Sequence, residues 1–239
     1  MTEEVEPGAG ACGDEAQAWR ARFGWAVGLL SDDLAERAAA LAHLDKAKRN
    51  VWDALDRFND VWQLTRPLGA EEQYREPVFR RAREAYSDAC EHSLPEGLCH
   101  RPRGADITVW PGLPYALLFL EWEARHPEEW TRHAKAWGTK EALIRDVAVA
   151  DHDATVKAKL TDLIEVVVQR AYRCKDREYV RVARAVDSED LRGRLGKAAQ
   201  SDDPWARCQA GYVLWLLDRP EVPNTRHVWR TWIAAPSGS

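Results

Sequence analysis

"DHDATVKAKLTDLIEVV" at residues 151–167 and "SDDPWARCQAGYVLWLLD" at 201–218 read as two versions of one phrase. Each opens on aspartates, whose short side chains suit the free N–H groups of a helix start. Each continues with a basic residue (Lys157, Arg207), a small residue (Ala158, Cys208) and an apolar run. No convincing pair of strands appears anywhere in the 239 residues. The expected fold class is therefore all-α, either an irregular helical bundle or a short stack of helices.

Between the two phrases, "REYVRVARAV" and "EDLRGRLGKAAQ" read as helices punctuated by Asp187 and Ser188. After them "DRPEVPN" breaks the chain and "TRHVWRTWIAA" forms a last short helix. Upstream, "YALLFLEWEARH", "PEEWTRHAKAWG" and "KEALIRDVAVA" read as three more helices, the last capped by Thr139. Residues 94–114 hold four prolines and three glycines, which makes continuous helix there unfavourable. Within that connection "ADITVW" at 105–110 has the β-branched residues of a short extended piece.

The N-terminal half is read in the same way. Trp19, Phe23, Val27 and Leu30 make an apolar stripe on a helix expected to begin at Asp14 or Glu15. Gly24 and Gly28 lie inside it, and they either weaken the helix or mark a close contact with another helix. Residues 31–64 form a long periodic run capped by Ser31 or Asp32, either one helix or two with a break near 46–50. Residues 71–93 read as a further helix with Pro77 in its first turn. The expected organisation is a disordered tail at 1–14, helical parts at 15–93 and 115–235 joined by 94–114, and a short tail at 236–239.

Composition narrows the classes. A formal net charge of -5 argues against a protein coated in positive charge, though not against a local basic face. Twelve tryptophans against four phenylalanines supply large, rigid contact area for cores and binding surfaces. Five scattered cysteines give no disulfide framework, so a cytoplasmic protein is expected. The N-terminus lacks the basic start and apolar stretch of a signal peptide. The longest apolar run, 115–120, is far too short to cross a bilayer, so no membrane partner is expected.

The phrase built on Asp153, Val156, Lys157, Ala158 and Leu160 resembles the second helix of a HEAT-type repeat. So does the copy built on Asp203, Trp205, Ala206, Arg207, Cys208 and Ala210, and residues 31–44 make a looser third copy. The resemblance covers mainly 139–235 and departs at 94–114. The two good copies lie about 50 residues apart, against a usual period of about 40–47. It implies a stack of helices with a concave face for a macromolecular partner.

Three groups of residues carry candidate chemistry. Arg170, Arg173, Arg177, Arg181 and Arg184 recur at steps of three and four, so an unbroken helix would place them on one face. With Trp205 and Arg207 they form the expected binding surface, since Trp and Arg dominate interface hot spots. The alternative is a solvated face neutralised by Asp176, Glu178, Asp187 and Glu189. Cys90, His92, Cys99 and His100 are the candidate metal ligands, with zinc as the metal, although their spacing matches no structural zinc pattern. Glu123 and His126, with Glu121, Glu129 and His133 nearby, have the i, i+3 spacing of di-iron bundles but lack the required second pair.

The expected function is a helical interaction module that binds a protein partner through the Arg/Trp face, with no cofactor. One alternative is a nucleic-acid protein similar in outline to HEAT-like DNA glycosylases, for which Asp202, Asp203 and Trp205 are the nearest matches. A metal-dependent helical enzyme is the other. Nothing in the sequence decides whether the chain is catalytic.

Overall fold

The computed structural model describes residues 9–101 and 106–234, apart from the side chains of 9–13 and of His100. The expected all-α class holds: none of these residues lies in a strand, and twelve α-helices follow one another. The chain divides into two compact units. The first takes its described residues from Met1–Ala105, Val109–Trp122 and Glu128–Lys135, the second from Asp106–Thr108, Glu123–Pro127 and Ala136–Ser239. No described helix is long and apolar enough to cross a membrane.

In the first unit α1 (Ala9–Phe23) leads into a 3₁₀ segment, Gly24–Leu30. Helix thus begins before Asp14; of the expected tails, residues 1–8 and 236–239 lie outside the described residues. The expected stripe holds for Trp19 and Phe23, which are buried, but not for Val27, which is 61% exposed. The helix changes pitch at Phe23 because the next segment lies against α2 (Leu34–Thr65). A Cβ on Gly28 would stand 3.1 Å from Ala40 Cβ and 3.2 Å from Glu36 O, so glycine permits that approach.

Helix α2 is a single run of 32 residues, without the break entertained near 46–50. Its buried residues Ala40, Leu44, Ala47, Val51 and Ala54 keep one stripe through that region. The cap is Asp33 rather than Ser31 or Asp32: its Oδ1 accepts from Ala35 N–H at 2.7 Å. Ser31 instead donates its hydroxyl to Glu36 Oε2 at 2.7 Å. Residues 71–93 are two helices, α3 (Ala70–Arg75) and α4 (Pro77–Glu91). Pro77 holds Glu76 extended, at φ -64 and ψ 125, which separates them. Helix α4 packs along α2. Helices α5 (Leu113–Arg125) and α6 (Pro127–Ala134) complete this unit's core, where Phe119 meets Trp122 and Trp130 edge to face. Trp19 packs edge-on to Trp110 and stacks on Tyr115.

The second unit holds the end of α5 and α7 (Trp137–Asp146), α8 (Ala154–Val168), α9 (Tyr179–Ala185), α10 (Glu189–Ala198), α11 (Pro204–Leu217) and α12 (Arg226–Ala234). Both opening phrases are helices capped as read. Asp153 Oδ1 accepts from Val156 N–H at 2.8 Å, and Asp203 Oδ1 from Trp205 N–H at 2.8 Å. Helix α8 contacts α9, α10 and α11, and α10 lies on α11. Leu160, Ile164, Val182, Leu191, Leu195, Ala210 and Leu216 fill the space between them.

The expected extended piece at 105–110 is instead a 3₁₀ turn, Ile107–Val109. Asp106 Oδ1 accepts from both the N–H and the hydroxyl of Thr108 at 2.9 Å, a local bond that favours a turn over a strand. Ala105 lies outside the described residues.

Gly193 sits exposed inside α10, and a Cβ there would meet nothing within 4 Å. Gly193→Ala is therefore expected to stabilise the second unit by about 0.5–1 kcal/mol through backbone entropy alone. A urea midpoint that fails to rise would contradict an open α10 face.

Candidate binding cleft beside a buried ion cluster

The arginine series does not form one helical face. Helix α8 stops at Val168, and helix resumes only with a 3₁₀ turn at Asp176–Glu178 and then α9. Lys175, between them, has a left-handed backbone with φ 72, a conformation that costs a non-glycine residue about 1 kcal/mol or more. The reason is Asp176. Its Oδ2 accepts from the backbone N–H of Arg173 at 2.6 Å, a side-chain bond that replaces a helical one.

Asp176 and Glu123 anchor a buried cluster of five charges. Lys140 is fully buried; its Nζ donates to Asp176 Oδ1 at 2.6 Å and lies 2.9 Å from Glu123 Oε2. Arg170 bridges both acids, with Nη1 at 2.8 Å from Asp176 Oδ2 and Nη2 at 2.9 Å from Glu123 Oε2. Arg173 Nε donates to Glu123 Oε1 at 2.8 Å, and its guanidinium lies over Trp137. Lys140 also faces the rings of Trp137 and Tyr179. Three cations, of which Arg170 and Arg173 are partly exposed, thus meet two buried carboxylates. Every carboxylate oxygen is filled, as burial of charge requires.

The other arginines are placed differently. Arg181 Nε donates to Glu178 Oε2 at 2.9 Å, and Arg145 Nε donates to the same oxygen at 3.0 Å. Burial opposes ionisation of Glu178, but these two guanidinium bonds outweigh it and hold its carboxyl below the usual range. Arg184 Nη2 donates to three carbonyls beyond α11, those of Leu216, Arg219 and Val222, and so closes that helix end. Arg207 is exposed and donates to Ser201 O, beside Trp205, which is 55% exposed. Arg177 differs from all of these. No acceptor binds its side chain among the described residues, and its Nε is buried.

Arg177 lines a cleft of about 340 Å³ in the second unit. Ile164, Val167 and Val168 of α8, Val180 of α9 and Val213 of α11 make its apolar walls. Tyr172, Tyr179, Tyr212 and Trp229 add aromatic surface, and Asp176, Gln209 and Arg226 complete the lining. The cleft exists because α12 covers α11 only in part. Trp229 and Trp232 pack on Tyr212 at 4.6 and 5.3 Å, yet no residue of α12 is fully buried. The approach to α12 is held by Tyr212, which donates to Asn224 Oδ1 at 3.0 Å, while Asn224 Nδ2 donates to Arg177 O at 2.6 Å. Burial, and then the charges of Glu123 and Asp176, push the Tyr179 phenol well above its usual value; its hydroxyl has no hydrogen-bond partner among the described residues. Burial also raises Tyr172 and Tyr212.

The remaining candidates do not assemble. Among the described residues no three His, Cys, Asp or Glu side chains are placed to hold a metal ion. Cys90 is buried, and that burial pushes its thiol up. His92 Nδ1 bonds the Asp88 carbonyl at 2.8 Å, and Cys99 Sγ faces the Pro95 carbonyl. The His100 side chain lies outside the described residues. Glu123 serves the ion cluster, while His133 pairs with Asp45 at 2.8 Å and Glu129 with Arg37 at 3.4 Å, both in the first unit. A groove between α2 and α4, lined by His43, Lys46, Asn50, Asp53, Arg57 and Asp88 among others, mixes both signs of charge and selects for neither.

Lys140 and Arg226 were not legible as site residues. Lys140 sits in "TKEALIRD", which has the composition of a solvated helix start, and only its long-range partners bury it. Trp229 was visible as aromatic material near the arginines, but not as the wall of a cleft.

No family model, no curated protein and no solved structure matches this chain.

Proposed function

We propose that the second unit is a ligand-binding module whose cleft receives the apolar body of a small organic molecule. One observation carries this reading: a cleft of about 340 Å³ walled by Ile164, Val167, Val168, Val180 and Val213 and bordered by aromatic side chains. Ligand sites are concave, mostly apolar and supplied with a few placed polar groups, and their volumes begin at roughly 300 Å³. The arrangement of α7 to α11 is read here as a short HEAT-like stack, with α12 as its terminal cover. The reading assigns binding and no reaction.

A continuous Arg/Trp surface for a macromolecule has less support, because Arg170, Arg173 and Arg181 spend their charge on Glu123, Asp176 and Glu178. The same pairing weakens the nucleic-acid reading, which needs cations left over for phosphates. Docking of a protein partner keeps one feature in its favour, the exposed Trp205 beside Arg207. Trp205→Ala would weaken such docking and leave the cleft untouched.

The test uses phenylnaphthylamine, a neutral apolar probe whose fluorescence rises on leaving water. The intact chain is expected to bind it saturably at one site. Val213→Trp and, independently, Val168→Phe fill the cleft and should each reduce affinity at least roughly tenfold, the scale of excluding a buried apolar group. Far-UV circular dichroism checks that helix content is kept. Unchanged affinity in both folded variants would sink the reading.

A further inference from the structure

We infer that the ligand of this cleft carries a carboxylate at one end, held by Arg177 with support from Arg226. The inference rests on the cleft being a ligand site and adds the chemical class of what enters it.

The lining is unbalanced in what it can still bond. Asp176 is the one carboxylate in the wall, and it has no capacity left. Its Oδ1 accepts from Lys140 and Arg170, and its Oδ2 from Arg170 and the Arg173 N–H. An amine or guanidine entering the cleft would find no free anion. Gln209 spends an Nε2 proton on Arg170 O at 2.8 Å, and its amide oxygen is neutral. The charge left without a counterion in the wall is positive. Arg177 has a buried Nε with no acceptor, and Arg226 is exposed with no ion pair among the described residues. The buried Tyr179 hydroxyl also has no partner among the described residues and stays protonated, so it can donate.

A purely apolar molecule would leave Arg177 stripped of water and without a counterion, which is costly for a buried donor and more so for a charged one. A carboxylate removes that cost. Its two oxygens match the planar fork of one guanidinium, and Arg226 adds a second positive charge at the solvent side. A phosphate would ask for more donors than this wall offers. The ligand class is therefore an amphiphilic monoanion, an acyl or aryl carboxylic acid, with its tail between α8 and α11.

Displacement of phenylnaphthylamine by octanoate, octanamide and octylamine tests the assignment, since the three share a tail and differ in the head. Octanoate should displace the probe at a concentration roughly tenfold below octanamide, with octylamine weakest, as a charge-assisted pair replaces a neutral contact. Arg177→Met should erase the difference between octanoate and octanamide while keeping probe binding. Arg177→Lys should restore part of it, which a merely structural role for Arg177 would not produce. Equal displacement by all three, or none by any while the probe still binds, overturns the carboxylate and leaves the cleft standing. Preference for octanoate that survives Arg177→Met overturns the placement. Failure of the probe itself to bind overturns the cleft reading instead.

Discussion

Asp176→Ala is expected to cost the second unit roughly 3–5 kcal/mol, the scale of removing one partner from a buried ion network. The substitution leaves Lys140, Arg170 and Arg173 facing Glu123 alone, three cations against one anion, with Lys140 and Glu123 fully buried. It also frees the Arg173 N–H that ends the connection after α8. Against a typical stability of about 5–15 kcal/mol for a domain, such a loss leaves little in reserve. Lys140→Met should cost far less, because it leaves two guanidinium groups balanced against two carboxylates and fills the space with an apolar chain. Urea unfolding of the two variants reads the difference directly. A Lys140→Met variant as unstable as Asp176→Ala would mean that packing around Lys140, and not charge balance, governs the site.

Gly112→Ala should have the largest effect in the first unit, a loss of about 3 kcal/mol, at the upper end for overpacking. A Cβ at this position would stand 2.3 Å from Trp110 Cζ2 and 2.6 Å from Trp19 Cη2. Both rings are buried and cannot swing aside: Trp19 is fixed between Trp110 and Tyr115, at 5.2 and 6.0 Å. The contact needs glycine for space, not for backbone conformation. Trp110→Phe in the Gly112→Ala background opens room and should recover part of the loss, whereas a backbone origin would give no recovery. Thermal unfolding compares the two variants.

What the sequence could reveal was what is decided nearby. Asp153 and Asp203 cap their helices because the bonded N–H groups lie two or three residues on, and α2 is long because its apolar period never lapses. The arginine series looked like one face on the same local logic and is not one. Its helix is ended by Asp176 and by Glu123, which lies 47 residues from Arg170 and 50 from Arg173. No window along the chain contains that information. The balancing role expected of Asp176 and Glu178 was legible from charge alone; the burial of Lys140 was not. The four Cys and His residues of 90–100 cluster in sequence, yet local helix geometry turns Cys90 into the core and His92 back onto Asp88. The apolar faces of α8, α9 and α11 were readable as core. That they fail to close against α12, and so leave a cleft, depends on how far each helix stands from the next.

The five-charge cluster also bears on how long the folded unit persists. Its members come from α5, α7, the connection after α8 and the turn at Asp176, so Arg170 and Asp176 can pair locally, but Glu123 and Lys140 join only when the distant segments meet. Loop closure is spent before these long-range pairs return anything, which places the completed cluster late on the route to the native state. Interactions made after the rate-limiting barrier do not hasten folding; they slow escape. The cost of Asp176→Ala beyond its local bonds to Arg170 and the Arg173 N–H should therefore appear in the unfolding arm of a denaturant chevron, so that the cluster acts as a latch on the native lifetime.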